Sequence, residues 1–119
     1  MNRTVTFYKT ADGKCPIQDF LDSLPGKAAQ KVIWVLKLVE ELDIVPSSYF
    51  KKLEGTEEIW ECRIVFSSNS YRVFCFFADN SLVVLTHGFM KKSQKTPRAE
   101  IERAEAMRRD FLKRRTRHE

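Results

Sequence analysis

The residues with the most chemical potential are Arg63, Arg72, His87, Lys91, Lys92, Lys95 and Glu61. Five cations and two groups able to move protons suit the handling of a phosphodiester. Cutting RNA without a metal requires that the ribose 2′-OH lose a proton. It also requires that charge on the phosphorane oxygens be offset and that the leaving 5′-oxygen gain a proton. Arg63 and Arg72 suit the second task, because a planar guanidinium can bind two phosphate oxygens, whereas Lys91, Lys92 and Lys95 act as movable point charges. His87 or Glu61 suits the first or third.

Alternation along a strand over 59–66 sends Trp60, Cys62, Ile64 and Phe66 to one face and Glu61, Arg63 and Val65 to the other. If a loop at 67–70 sets Phe66 opposite Tyr71, Arg63 faces Phe74 and becomes a diagonal neighbour of Arg72. Closing Phe77 against Leu82 then places His87 opposite Arg72, with Phe74, Phe76, Val83 and Leu85 on the same face. The same pairing puts Cys62 opposite Cys75 in the core. Each of these residues also has a plainer reading: Arg63 and Arg72 as solvated partners of Glu61, His87 as structural, the lysines as a wet loop.

The elements that must position this set read as strand, helix, helix, strand, strand, strand, helix. Residues 3–9 form a short strand, and Pro16 opens a helix carrying Ile17, Phe20, Leu21 and Leu24, which Pro25-Gly26 ends. Ala29, Val32, Ile33, Leu36, Val39 and Leu42 mark one face of a longer helix from Lys27 to about Leu42. Pro46 to Thr56 reads as a connecting loop, followed by strands over 59–66, 71–77 and 82–89 joined by short polar turns. Thr96 and Pro97 start a last helix whose apolar stripe is Ile101, Ala104, Met107 and Phe111 or Leu112. Its basic end, from about residue 108 to 119, is expected to fray. The predicted class is α+β, an antiparallel sheet carrying a helical hairpin on one face.

The chain has 119 residues, enough for one domain over 1–119 with its own core. Its 21 Lys and Arg outnumber 16 Asp and Glu, giving a formal charge of +5 that favours an anionic partner. The first ten residues lack the apolar run of a signal peptide, and no stretch is apolar enough to cross a bilayer, so a cytoplasmic location is expected. Cys15, Cys62 and Cys75 have no metal-ligand spacing and read as reduced thiols. No cofactor or metal is expected.

Several segments together resemble one family: Lys51-Lys52-Leu53-Glu54-Gly55, Ile59-Trp60-Glu61-Cys62-Arg63, Tyr71-Arg72-Val73-Phe74, and the run His87-Gly88-Phe89-Met90-Lys91-Lys92-Ser93-Gln94-Lys95-Thr96-Pro97. They resemble the phage-derived, HigB-like branch of the RelE/ParE toxin superfamily, over nearly the whole chain. The resemblance implies a RelE-like β-α-α-β-β-β-α fold and a toxin of a type II toxin–antitoxin pair, with a helix-turn-helix, HigA-like antitoxin as partner. It also implies a ribosome-dependent mRNA interferase whose catalytic positions fall on Arg63, Arg72 and the Lys91/Lys92 region. Where some relatives carry a lysine two residues before Arg63, this chain has Glu61, and no tyrosine follows the last strand. Two alternatives stay open: a ParE-like toxin that acts on DNA gyrase by protein contact, and an inactive binding module.

Overall fold

In the computed structural model, which describes residues 2–117, the chain folds as β1 (Thr4–Phe7), α1 (Pro16–Ser23), α2 (Gly26–Glu41), β2 (Phe50–Lys52), β3 (Trp60–Phe66), β4 (Asn69–Phe77), β5 (Leu82–Lys91) and α3 (Arg98–Arg117). The class is α+β, as expected, with one strand more than the sequence suggested. Phe50-Lys51-Lys52 is a strand rather than loop, paired antiparallel to β3. Three residues are too few for alternation to register against the turn signals around them.

The sheet runs in the order β1-β5-β4-β3-β2 and is mixed, not wholly antiparallel: β1 lies parallel to β5, Thr4 beside Leu82 and Phe7 beside Leu85. A long crossover through both hairpin helices separates those strands in sequence, as parallel pairing requires. Arg3 anchors the start of β1 by donating to the carbonyls of Val39, Leu42 and Asp43 at the end of α2. These are the acceptors a helix C-terminus leaves unsatisfied.

Two apolar layers flank the sheet. Under α1 and α2 lie Ile17, Leu21, Ala28, Val32, Val35, Leu36 and Val39 against Cys62, Ile64, Tyr71, Val73, Cys75, Val83 and Leu85. The inward stripe of α2 is rotated from expectation, since Ala28 and Val35 are buried while Ile33 and Leu42 are each 39% exposed. Under α3 lie Tyr8, Ile59, Phe74, Phe76, Val84 and Ala104, with Ile101, Met107 and Phe111 packed against them. The region expected to fray is helical as far as Arg117: Asp110 accepts from the Tyr8 hydroxyl at 2.5 Å, and Arg114 donates to Asp110 and to the Lys9 carbonyl. Residues 118–119 lie outside the described residues. The helix begins at Arg98, and the Pro97 carbonyl accepts from Glu100 and Ile101.

The β3–β4 turn is tighter than expected. Ser67-Ser68 alone makes it, with Ser67 in the left-handed region at φ 58°, so Phe66 pairs with Asn69 and Arg63 lies directly opposite Arg72. Cys62 consequently pairs with Val73, and Cys75 with Trp60. A shift of two positions preserves the face of every side chain, which is why the assignment from alternation holds for β3.

Strand β5 does not keep one alternation. Val73 pairs with Gly88 but Cys75 with Leu85, so β5 spends one more residue than β4 there and forms a bulge around Thr86 and His87. Before the bulge, Val83 and Leu85 face the helical hairpin, opposite to the expected side, and Val84 faces α3. The extra residue reverses the phase, and His87 and Phe89 join Phe74 on the α3 side.

Candidate nucleic-acid interface

Helix α3 covers only part of its face of the sheet, and beyond its N-terminus the ends of β3, β4 and β5 remain open. On this open end Arg63 and Arg72 are cross-strand partners, with Glu61 two residues before Arg63 on the same side. The Glu61 carboxylate reaches both guanidinium groups: Oε1 lies 3.5 Å from Nε of Arg63 and Oε2 3.4 Å from Nε of Arg72. Arg72 is buried, 5% exposed, and its terminal nitrogen also donates to Ser70 Oγ at 2.9 Å and to the Tyr71 carbonyl at 3.1 Å. Burial, only partly offset by Glu61, lowers the Arg72 pKa, and Arg63 lowers it further. Two cations are thus held side by side, one rigidly and one half-exposed, because a carboxylate sits between them.

Arg72 Nε and Glu61 Oε2 nevertheless lack hydrogen-bond geometry with any partner. Buried polar atoms are usually bonded, and here the two atoms face each other as an ion pair at 3.4 Å without a well-formed hydrogen bond.

Two concavities flank the arginines. One, about 400 Å³, is lined by Lys51, Lys52, Leu53, Glu54, Glu61, Arg63, Lys91 and Thr96. The other, about 350 Å³, is lined by Ser70, Arg72, Lys91, Lys92, Ser93 and Gln94. Lys91 belongs to both and forms the ridge between them; it pairs with Ser70 at the end of β5, diagonally adjacent to Arg72. Lys92 and Lys95 are exposed on the loop leading to α3, where Ser93 Oγ donates to the Lys95 carbonyl. Lys95 borders neither hollow.

His87 stands apart. It pairs with neither arginine, since Phe89 lies opposite Arg72, and it lines neither concavity. Its ring is 1% exposed, edge-on to Phe74, 27° from parallel to Phe89, with Nδ1 3.2 Å from Thr86 Oγ1 and Nε2 3.2 Å from Glu100 Oε1. Burial and the charge of Arg103 bring its pKa down to about 4. At neutral pH it is an uncharged imidazole joining β5 to the first turn of α3.

Sequence reasoning attached no role to Lys51 or Glu54. Lys51 is the cross-strand partner of Glu61 and so shares its face, which only the existence of β2 reveals. Glu54 stands on a turn that begins where β2 ends, and Gly55 takes a φ of 73° to make it. Among the described residues, no group of three or more His, Cys, Asp or Glu side chains is placed to hold a metal ion. The arrangement offers a fixed guanidinium pair, a carboxylate between them and lysines on the margin: the equipment for gripping a polyanionic chain and moving a proton at one phosphate.

Most of the chain, residues 19–109, matches the family model described as "Phage derived protein Gp49-like (DUF891)". No curated protein matches the chain at a significant level.

Proposed function

Because the chain belongs to the phage-derived Gp49-like family, a family of the RelE-type toxin superfamily, we propose that it is the toxin of a toxin–antitoxin pair and a ribosome-dependent mRNA interferase. The observation that carries this reading is the Arg63–Arg72 pair, set cross-strand around Glu61 on the open end of the sheet. In the proposed reaction Arg72 and Arg63 hold the scissile phosphate and offset the charge of the phosphorane. Glu61 takes the 2′-OH proton, and the 2′-oxygen attacks phosphorus. The bond to the 5′-oxygen breaks, that oxygen takes a proton from Lys91 or water, and the products are a 2′,3′-cyclic phosphate and a 5′-hydroxyl. Lys92 and Lys95 contact flanking phosphates. His87 acts as a positioning residue that holds the start of α3 against β5. An antitoxin of the helix-turn-helix, HigA-like kind would be the neutralising partner, and the ribosome would present the message.

The test is inducible expression of the wild type, Arg63→Ala and Arg72→Ala in a bacterial host, with growth recorded and 5′ ends of cellular mRNA mapped. Each substitution is expected to lower cleavage by about 100-fold or more, the loss typical of a transition-state charge partner. Arg63→Ala separates this from misfolding, because Arg63 is half-exposed, and thermal melts of both purified variants complete the control. Growth arrest with intact messages would defeat the reading and turn attention to a protein target such as DNA gyrase.

A further inference from the structure

The larger concavity contains one residue that phosphate binding does not explain. Glu54 puts a negative charge into a hollow lined by Lys51, Lys52, Arg63 and Lys91, where it weakens the attraction for a polyanion. Its acidic neighbours all have partners: Glu57 is bound by Arg109 at 2.6 Å, Glu58 by Lys52 at 2.8 Å, and Glu61 lies between the two arginines. Among the described residues Glu54 has no ion-pair or hydrogen-bond partner, and it is exposed.

The turn that presents it is firmly braced. Leu53 N–H donates to the Ile59 carbonyl at 2.9 Å, Thr56 Oγ1 donates to the Leu53 carbonyl at 2.7 Å, and Ile59 N–H donates to Thr56 Oγ1 at 3.2 Å. The turn is also clipped to α3, through Glu57 N–H to Glu105 at 2.9 Å and through the Glu57–Arg109 pair. The braced backbone keeps the Glu54 carboxylate at the rim, where it is free to accept hydrogen bonds from something entering the hollow.

We propose that Glu54 is a specificity-determining residue that accepts hydrogen bonds from the Watson–Crick edge of an unpaired guanine next to the phosphate held by Arg63 and Arg72. The proposal rests on the RNA-cleavage reading above. Guanine presents two adjacent N–H donors, N1–H and the 2-amino group, matched to the two oxygens of a carboxylate. Uracil presents one N–H between two carbonyl oxygens, which a carboxylate repels, and cytosine and adenine each offer an amino group beside an acceptor nitrogen. The hollow, about 400 Å³, is of small-ligand size, and no aromatic side chain lines it. Discrimination there falls to polar groups, and among the described residues Glu54 is the carboxylate of the lining that has no ion-pair partner.

The test uses a pool of messages with randomised codons, translated in a cell-free system with the purified full-length protein, its Glu54→Gln and Glu54→Ala variants, and Arg72→Ala as the inactive control. Nucleotides flanking each cut are counted. Wild type is expected to cut beside guanine in preference to adenine or uracil, and both Glu54 variants are expected to lower that ratio about tenfold, the scale of one lost bidentate base contact. A guanine preference that survives in both variants, or wild-type cuts without a guanine preference, overturns the assignment of Glu54 and leaves the interferase reading standing. Arg72-independent cuts, or none at all from the wild type, overturn both.

Discussion

Glu61 illustrates how much one side chain can organise. It is nearly as buried as Arg72, and each guanidinium would face the other without it. Replacing it by alanine leaves a buried cation uncompensated, and Glu61→Ala is expected to lose about 3 kcal/mol in urea denaturation. The double variant Glu61→Leu with Arg72→Met is expected to recover most of that loss while remaining unable to cut RNA. His87 carries a second prediction. Its pKa is about 4 in the folded chain against about 6.5 unfolded, so the unfolded state binds its proton first. The stability it contributes is full above about pH 6.5 and is lost as pH falls toward 4, at most roughly 3 kcal/mol. The denaturation midpoint of the wild type should drop across that window more than that of His87→Gln, since the carboxylates common to both cancel in the comparison. An equal slope in the two proteins would show that protonation of His87 is not penalised by folding.

At the scale of elements, the bulge in β5 decides which side chains reach which face. It allows Thr86 and His87 to stand on the α3 side together, and leaves Gly88 opposite Val73 and beneath α1. A Cβ on Gly88 would come within 2.3–2.7 Å of the Phe20 ring. Gly88→Ala therefore forces α1 away from the sheet, with an expected cost of about 1–3 kcal/mol in chemical denaturation. Recovery in the double variant Gly88→Ala with Phe20→Leu would identify that contact as the cause. The β4–β5 turn, rather than the bulge, marks where the sequence stopped being readable. Alternation placed Glu61, Arg63 and Arg72 on one face correctly, because a turn two residues shorter than expected moves partners without flipping faces. It misplaced Val83 and Leu85, because Phe77 pairs with Val83 rather than with Leu82, a slip of one residue that sends each side chain to the other face, and the bulge then returns His87 to the expected one. The grouping of Arg63 with Arg72 was thus legible, whereas the burial of His87 and the placement of Lys51 and Glu54 beside the arginines depended on the path of β5 and on a three-residue strand.

Across the whole molecule, positive charge is spread but not all available. Arg109 is held by Glu57, Arg114 by Asp110, and Arg115 lies 3.9 Å from Asp79, so much of the charge on α3 is locally matched. If the phosphate contacts are those of Arg63, Arg72, Lys91 and Lys92, the logarithm of affinity for single-stranded RNA should fall with the logarithm of salt concentration with a slope of about −3. A much steeper slope would mean that the α3 cations also take part. No helix among the described residues is long and apolar enough to cross a membrane. The parallel pairing of β1 with β5 has a further consequence, in the timing of synthesis. Strand β1 has no partner until residues 82–85 have followed it out of the ribosome, and closing so long a loop is slow. The helical hairpin and the nascent β2–β4 meander can form earlier, but the sheet is completed only when β5 is added between β1 and β4. The Lys91–Arg72 ridge comes together in that same step, so the surface that carries the arginine pair forms only once β5 has joined the sheet.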